Sequence, residues 1–135
     1  MNRHTYLRAY MAGITVPTIL LLVAATVFCV ARYVYDVPVP IERVIVFPMA
    51  VVPNLWGFWN MLFIASHTRA HLAIGLHGAL LVLVLGPLGF LLARLLDAPH
   101  FVLQVLPIGI PIALAVYYLA WKYLVGFLNG VLGIA

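Results

Sequence analysis

Charged residues are scarce in this chain, and acidic ones are the scarcest. Only 7% of the 135 residues are Asp, Glu, Lys or Arg, and just three are acidic. A soluble domain carries about 25% charged residues, so a water-soluble monomer is excluded. The formal net charge of +4 arises without any cluster of Lys and Arg, which makes nucleic-acid binding a poor interpretation.

Apolar sequence fills the chain instead, at 67% of all residues and with a mean hydropathy of +1.19. A bilayer core of about 30 Å needs roughly 20 mostly apolar residues in a helix. Four runs meet this requirement, at about residues 9–31, 44–66, 71–93 and 101–123. Because the runs are continuous rather than alternating, they are predicted to be helices and not barrel strands. We therefore expect an all-α integral membrane protein, a single-domain four-helix transmembrane bundle with short loops.

The basic residues beside these runs predict the orientation of the chain. Four fall on the side of the two termini and three on the other side. The four are Arg3, Arg8, Arg69 and Lys122, and the three are Arg32, Arg43 and Arg94. Since basic residues favour the cytoplasmic side, both termini are predicted to be cytoplasmic, by a margin of one residue.

Catalytic motifs are missing from the chain. The single cysteine, Cys29, excludes an intrachain disulfide, a site of several cysteines and thiol–disulfide chemistry. No Gly-x-Ser-x-Gly sequence occurs, and the three acids fall on the side away from the termini, whereas most histidines fall on the side of the termini. A hydrolytic site is therefore unsupported, and an enzyme is the less favoured interpretation.

A layer of polar and aromatic side chains is predicted inside the bundle. Asn60 and His77 lie at equal distances before and after the centre of a hairpin at residues 66–70, so antiparallel helices would bring them to equal depth. An ionisable residue inside a membrane is by default a functional hypothesis, and Asn60 is the predicted partner of His77. The residues assigned to this layer are Thr15, Trp56, Trp59, Asn60, His77, Tyr117 and Tyr118. The layer either joins helices by hydrogen bonds or forms a pocket for a quinone or, less readily, a haem.

A weaker candidate site is a metal site at the same hairpin. His67 and His71 are four residues apart, a spacing that can place two imidazoles on one helix face as ligands of zinc or copper. Only His4 is on hand as a third ligand on that side. The alternative interpretation is that both histidines simply lie at the membrane–water boundary.

Small residues four apart predict close packing of helices or recognition of a partner. Such pairs are Gly75 with Ala79 in the third run and Gly126 with Gly130 in the fourth.

The apolar tail at residues 124–135 is predicted to be helical. Lys122, Gly126, Asn129 and Gly133 would share one face of it. That face favours a helix lying at the interface or docked on a partner, and the alternative is a frayed end.

These features favour a non-catalytic accessory or scaffold subunit of a larger membrane complex or of a homo-oligomer. Its partners would be the lipid bilayer and either other membrane-protein subunits or further copies of the chain. The alternative is a membrane redox subunit that binds quinone or haem around His77. A small-solute transporter or channel is a weaker third hypothesis, because the runs lack the acids that cation or proton coupling usually employs.

Overall fold

The computed structural model describes residues 3–38, 40, 45–95 and 100–134. Of these residues 89% are helical, and none lies in a strand. The elements are α1 (Thr5–Val34), α2 (Phe47–Ala70), α3 (Ile74–Leu95), α4 (His100–Leu119), a π-helical segment (Ala120–Val125) and α5 (Gly126–Val131). The predicted all-α class is confirmed.

Four helical stretches in the described residues are long and apolar enough to cross a membrane. They are Thr5–Val34, Pro48–Ala70, Ile74–Leu91 and Pro107–Val131. The predicted number of membrane-length helices is confirmed, although their ends differ by several residues from the sequence-based bounds. The fourth stretch continues through the π-helical segment to Val131, so most of the apolar tail prolongs this stretch. Hydropathy locates the apolar centre of a helix better than its ends, because polar residues such as Arg8 continue a helix beyond the bilayer.

The connection between α2 and α3 lies at residues 71–73, and the predicted hairpin at residues 66–70 is wrong. Thr68 and Arg69 extend α2, since polar residues need not end a helix where it reaches water. The chain leaves the helix at His71, which has a φ of 47° and donates its N–H to the carbonyl of His67 at 3.2 Å. The centre of the connection therefore lies further along the chain, and the spacing no longer predicts equal depth for Asn60 and His77.

The chain divides into two compact units. The first contains Met1–Ala65 and Asn129–Ala135, and the second contains Ser66–Leu128. In the first unit, all buried residues of α1 lie in its N-terminal half, namely Ala9, Ala12, Gly13, Val16 and Pro17. The folded core of this unit is thus built on one half of α1.

Gly13 allows the backbones of α1 and α2 to touch. A Cβ atom at this position would lie 2.5 Å from the carbonyl oxygen of Trp56 and 2.8 Å from the Cα atom of Gly57. Only glycine leaves room for such an approach, which is the usual way in which membrane helices gain packing contacts. The ring of Tyr10 on α1 covers Gly57 on α2. The Tyr10 hydroxyl also donates a hydrogen bond to Oδ1 of Asn54 on α2.

In the second unit, α3 packs on α4 and on the π-helical segment. The indole of Trp121 lies directly on the α3 backbone, where a Cβ at Gly78 would be 2.0 Å from Cγ of Trp121. The π-helical turn closes with a hydrogen bond from the N–H of Gly126 to the carbonyl of Trp121. A π-helical turn holds more residues than an α-helical turn, so it offsets the drift of about 40° that an α-helix gives to positions four apart. Trp121 and Val125 are accordingly both fully buried.

Candidate functional site

Two buried asparagines hydrogen-bond each other in the first unit. Asn60 lies on α2 and Asn129 on α5, and both are 0% exposed. Nδ2 of Asn60 donates to Oδ1 of Asn129 at 2.8 Å, and Nδ2 of Asn129 donates to Oδ1 of Asn60 at 3.1 Å. Each amide is thus both donor and acceptor to the other, and the two form a closed pair.

A third hydrogen bond joins this pair to α1. Nδ2 of Asn60 also donates to the carbonyl oxygen of Ala9, at 2.7 Å. The amide nitrogen of Asn has two hydrogens, so both are used. A buried amide without partners costs free energy, and most of all in lipid, where water offers no replacement. The arrangement therefore fixes α1, α2 and α5 at one point.

The end of α5 is closed by its own backbone. Gly133 has a φ of 64°, its N–H donates to the carbonyl of Gly130, and the N–H of Ile134 donates to the carbonyl of Asn129, both at 3.0 Å. This is the Schellman arrangement, which favours glycine because its left-handed residue carries no Cβ penalty. A long hydrogen bond of 3.5 Å runs from Nη1 of Arg8 to the carbonyl of Leu132. The chain end is therefore held on the first turns of α1.

A buried histidine lies in the second unit. His77 is 6% exposed and belongs to the membrane-length stretch Ile74–Leu91. Its ring meets that of Trp121 edge to face, with centroids 5.8 Å apart and planes at 66°. An edge-to-face contact of this kind places positive ring edges against a negative π face and adds to the stabilisation from burial.

The residues of the predicted polar layer are divided between the two units. Four belong to the first unit and three to the second. The first four are Thr15, Trp56, Trp59 and Asn60, and the other three are His77, Tyr117 and Tyr118. The Thr15 hydroxyl donates to the carbonyl of Met11 at 2.6 Å, within its own helix. The observed partner of Asn60 is Asn129, a residue that the sequence analysis placed in the apolar tail.

The aromatic residues of that layer are buried or half-buried. Trp56 is buried and Trp59 half-buried on α2. Tyr117 and Tyr118 are half-buried, and the Tyr118 ring lies on Gly75, where a Cβ would be 2.8 Å from Cε2. Trp121, which sequence reasoning did not select, is the aromatic residue beside His77. Its role depends on the register of α3 against the fourth apolar stretch, which no local pattern encodes.

The two histidines of the metal hypothesis, His67 and His71, are both exposed at the end of α2. Within the described ranges, no group of three or more His, Cys, Asp or Glu side chains comes together to hold a metal ion.

The small residues of the sequence analysis differ in their surroundings. Ala79 is half-buried and lines an open apolar groove with five leucines, namely Leu72, Leu76, Leu80, Leu83 and Leu114. A Cβ at Gly126 would make ordinary contact with Ile74, at 3.8 Å, whereas one at Gly130 or Gly133 would meet no described atom within 4 Å. The groove offers no hydrogen-bonding side chain to a quinone.

Comparisons of the chain with protein-family models, curated proteins and solved structures find no match.

Proposed function

We propose that this chain is a non-catalytic accessory or scaffold subunit of a larger membrane complex or of a homo-oligomer. The observation that carries this proposal is the closed amide pair of Asn60 and Asn129. The two side chains bond to each other, Asn60 alone also donates to the Ala9 carbonyl, and both side chains are fully buried in the described chain. Polar groups used in this way hold helices in place. Both amide hydrogens of Asn60 are bound to protein acceptors, and the amide of Asn129 is fully buried.

The outer surface of the helices supports the same function. Large apolar side chains are exposed along every membrane-length stretch, and on α1 no residue after Pro17 is buried. Internal hydrogen bonds hold the helices in one arrangement, and their outer faces are apolar. Such helices can present a constant surface to lipid and to neighbouring subunits.

The test is gentle extraction from native membranes, followed by native mass spectrometry of the intact assembly. We expect a mass above that of the 14.9 kDa chain, in a fixed stoichiometry and without a chromophore. A monomeric chain, or a chain that carries haem or a tightly bound quinone, would contradict the proposal.

The second candidate is a redox subunit that binds quinone or haem at His77. It is favoured by one observation, the burial of an ionisable residue inside a membrane-length helix against an indole ring. The variant His77→Phe keeps a ring beside Trp121 and removes both ring nitrogens. Loss of a bound cofactor in this variant, but not in the exposed control His71→Phe, would support the redox function over the scaffold function.

We also propose that both termini lie on the cytoplasmic side, from the excess of basic residues on that side. Single cysteines added at position 3 or at position 37, in a chain with Cys29→Ser, would be labelled with a membrane-impermeant maleimide. Labelling of intact cells at position 37 alone is expected, and labelling at position 3 alone would reverse the orientation.

A further inference from the structure

Lys122 is an exposed cation within the apolar stretch Pro107–Val131. Its Nζ atom lies 5.2 Å from the centroid of the Tyr123 ring and 5.7 Å from that of the Tyr118 ring. Both distances are within the range of a cation–π interaction, so the ammonium group interacts with two phenol rings. A charged group in such a stretch needs water or an anion.

The contacts of neighbouring residues place Lys122 at one end of α3. Tyr118 lies on Gly75, and Gly126 approaches Ile74, the first residue of α3. Ile74 also begins the membrane-length stretch Ile74–Leu91. The end of such a stretch lies at the boundary between hydrocarbon and water, which is where lipid phosphates and belts of tyrosine are found.

The groups around Lys122 are all hydrogen-bond donors. The ammonium group has three hydrogens, and the hydroxyls of Tyr118 and Tyr123 make no hydrogen bond to the described chain. The described residues of the second unit include no Asp or Glu. No acid among the described residues of this unit therefore pairs with the ammonium group, and an anion with several acceptor oxygens suits the three donor groups best.

We propose that Lys122, Tyr118 and Tyr123 form a binding site for the phosphate of an anionic phospholipid. The ammonium group supplies the charge, and the two phenol hydroxyls supply hydrogen bonds to the remaining phosphate oxygens. A phospholipid is favoured over a carboxylate of a partner subunit because the site lies at the end of a membrane-length helix. Two tyrosines also flank the cation, as is typical of the interfacial belt.

The experiment uses the full-length chain in mild detergent, titrated with phosphatidylglycerol or phosphatidylcholine and followed by native mass spectrometry. We expect selective retention of one phosphatidylglycerol. The variant Lys122→Gln should weaken its binding at least tenfold, and Lys122→Arg should keep most of it. Tyr118→Phe combined with Tyr123→Phe should weaken binding while leaving the charge in place.

Arg94→Gln is the matched control, since Arg94 is exposed and lies 5.5 Å from the Phe90 ring centroid, beside a ring without a hydroxyl. General attraction of a basic residue to anionic lipid changes binding only about fivefold. Equal effects of Lys122→Gln and Arg94→Gln would overturn the proposal. It would also be overturned if Lys122→Gln released a co-purifying acidic polypeptide and left lipid binding unchanged.

Discussion

Replacing the buried asparagines by leucine tests the amide pair directly. Leucine is close to asparagine in shape, so the change removes hydrogen bonds with little change of volume. Asn60→Leu removes three hydrogen bonds and leaves the amide of Asn129 buried without a partner. Asn129→Leu removes two, and Asn60 keeps its bond to Ala9.

The expected magnitudes follow from hydrogen bonds in membrane proteins, which average about 0.6 kcal/mol each and reach about 1.7 kcal/mol. Asn60→Leu should lower the free energy of unfolding by about 2 kcal/mol, and Asn129→Leu by about 1 kcal/mol. The double variant leaves no orphaned amide. It should therefore be about 1 kcal/mol less destabilised than the sum of the single variants, since the two shared bonds are counted twice in that sum.

The assay is reversible unfolding in mixed micelles of mild detergent and dodecyl sulfate, followed by the fluorescence of the three tryptophans. The control is the pair Asn60→Leu and Asn54→Leu, because Asn54 bonds instead to Ala50 and Tyr10. This control pair should be additive within about 0.5 kcal/mol. Additive costs for Asn60 and Asn129 as well would refute the amide pair.

Two further substitutions, each with a control variant, test a close approach of helices at Gly13 and a closed helix end at Gly133. Gly13→Ala should lower the free energy of unfolding by about 1–3 kcal/mol, because its Cβ would meet the α2 backbone. Gly86→Ala, where a Cβ meets no described atom within 4 Å, should be neutral or stabilising by up to about 1 kcal/mol, and equal costs would contradict the close approach. Gly133→Ala should cost about 1 kcal/mol at its left-handed φ of 64° and speed amide hydrogen exchange at Ile134. Gly130→Ala is the control there, and equal exchange in both variants would contradict the closed helix end.

The helices were predictable because their number depends only on apolar length. The bilayer sets the length that a span requires, and continuous apolar sequence meets it four times. The position of the α2–α3 connection was not predictable in this way. Polar residues such as Thr68 and Arg69 mark where a helix meets water, but only the left-handed backbone of His71 marks where the helix ends. The prediction that Asn60 and His77 lie at equal depth was calculated from the expected position of this connection. Because the connection lies elsewhere, the calculation no longer applies.

The sequence analysis selected both residues of the amide pair but did not predict that they pair. Asn60 was selected as a buried polar residue, and Asn129 was selected for the polar face of the tail. Their pairing could not be found, because it depends on the π-helical segment that precedes α5. By changing the number of residues per turn, this segment keeps Trp121, Val125 and Asn129 all buried at a spacing of four. A strict α-helical pattern assigns Asn129 to the face of Lys122, which is exposed.

The two halves of α1 show why such details decide the packing of a membrane protein. In lipid, apolar side chains gain little by meeting each other, so an apolar face alone does not select one neighbour or one register. The N-terminal half of α1 has two contacts that do select. Gly13 admits the α2 backbone only at one place, and the Ala9 carbonyl is a partner of Asn60 only in that same register. A slip by one turn would leave an amide unpaired in lipid and push a side chain into a backbone. The half after Pro17 has no buried residue, so packing constrains its hydropathy more than the identity of its individual residues.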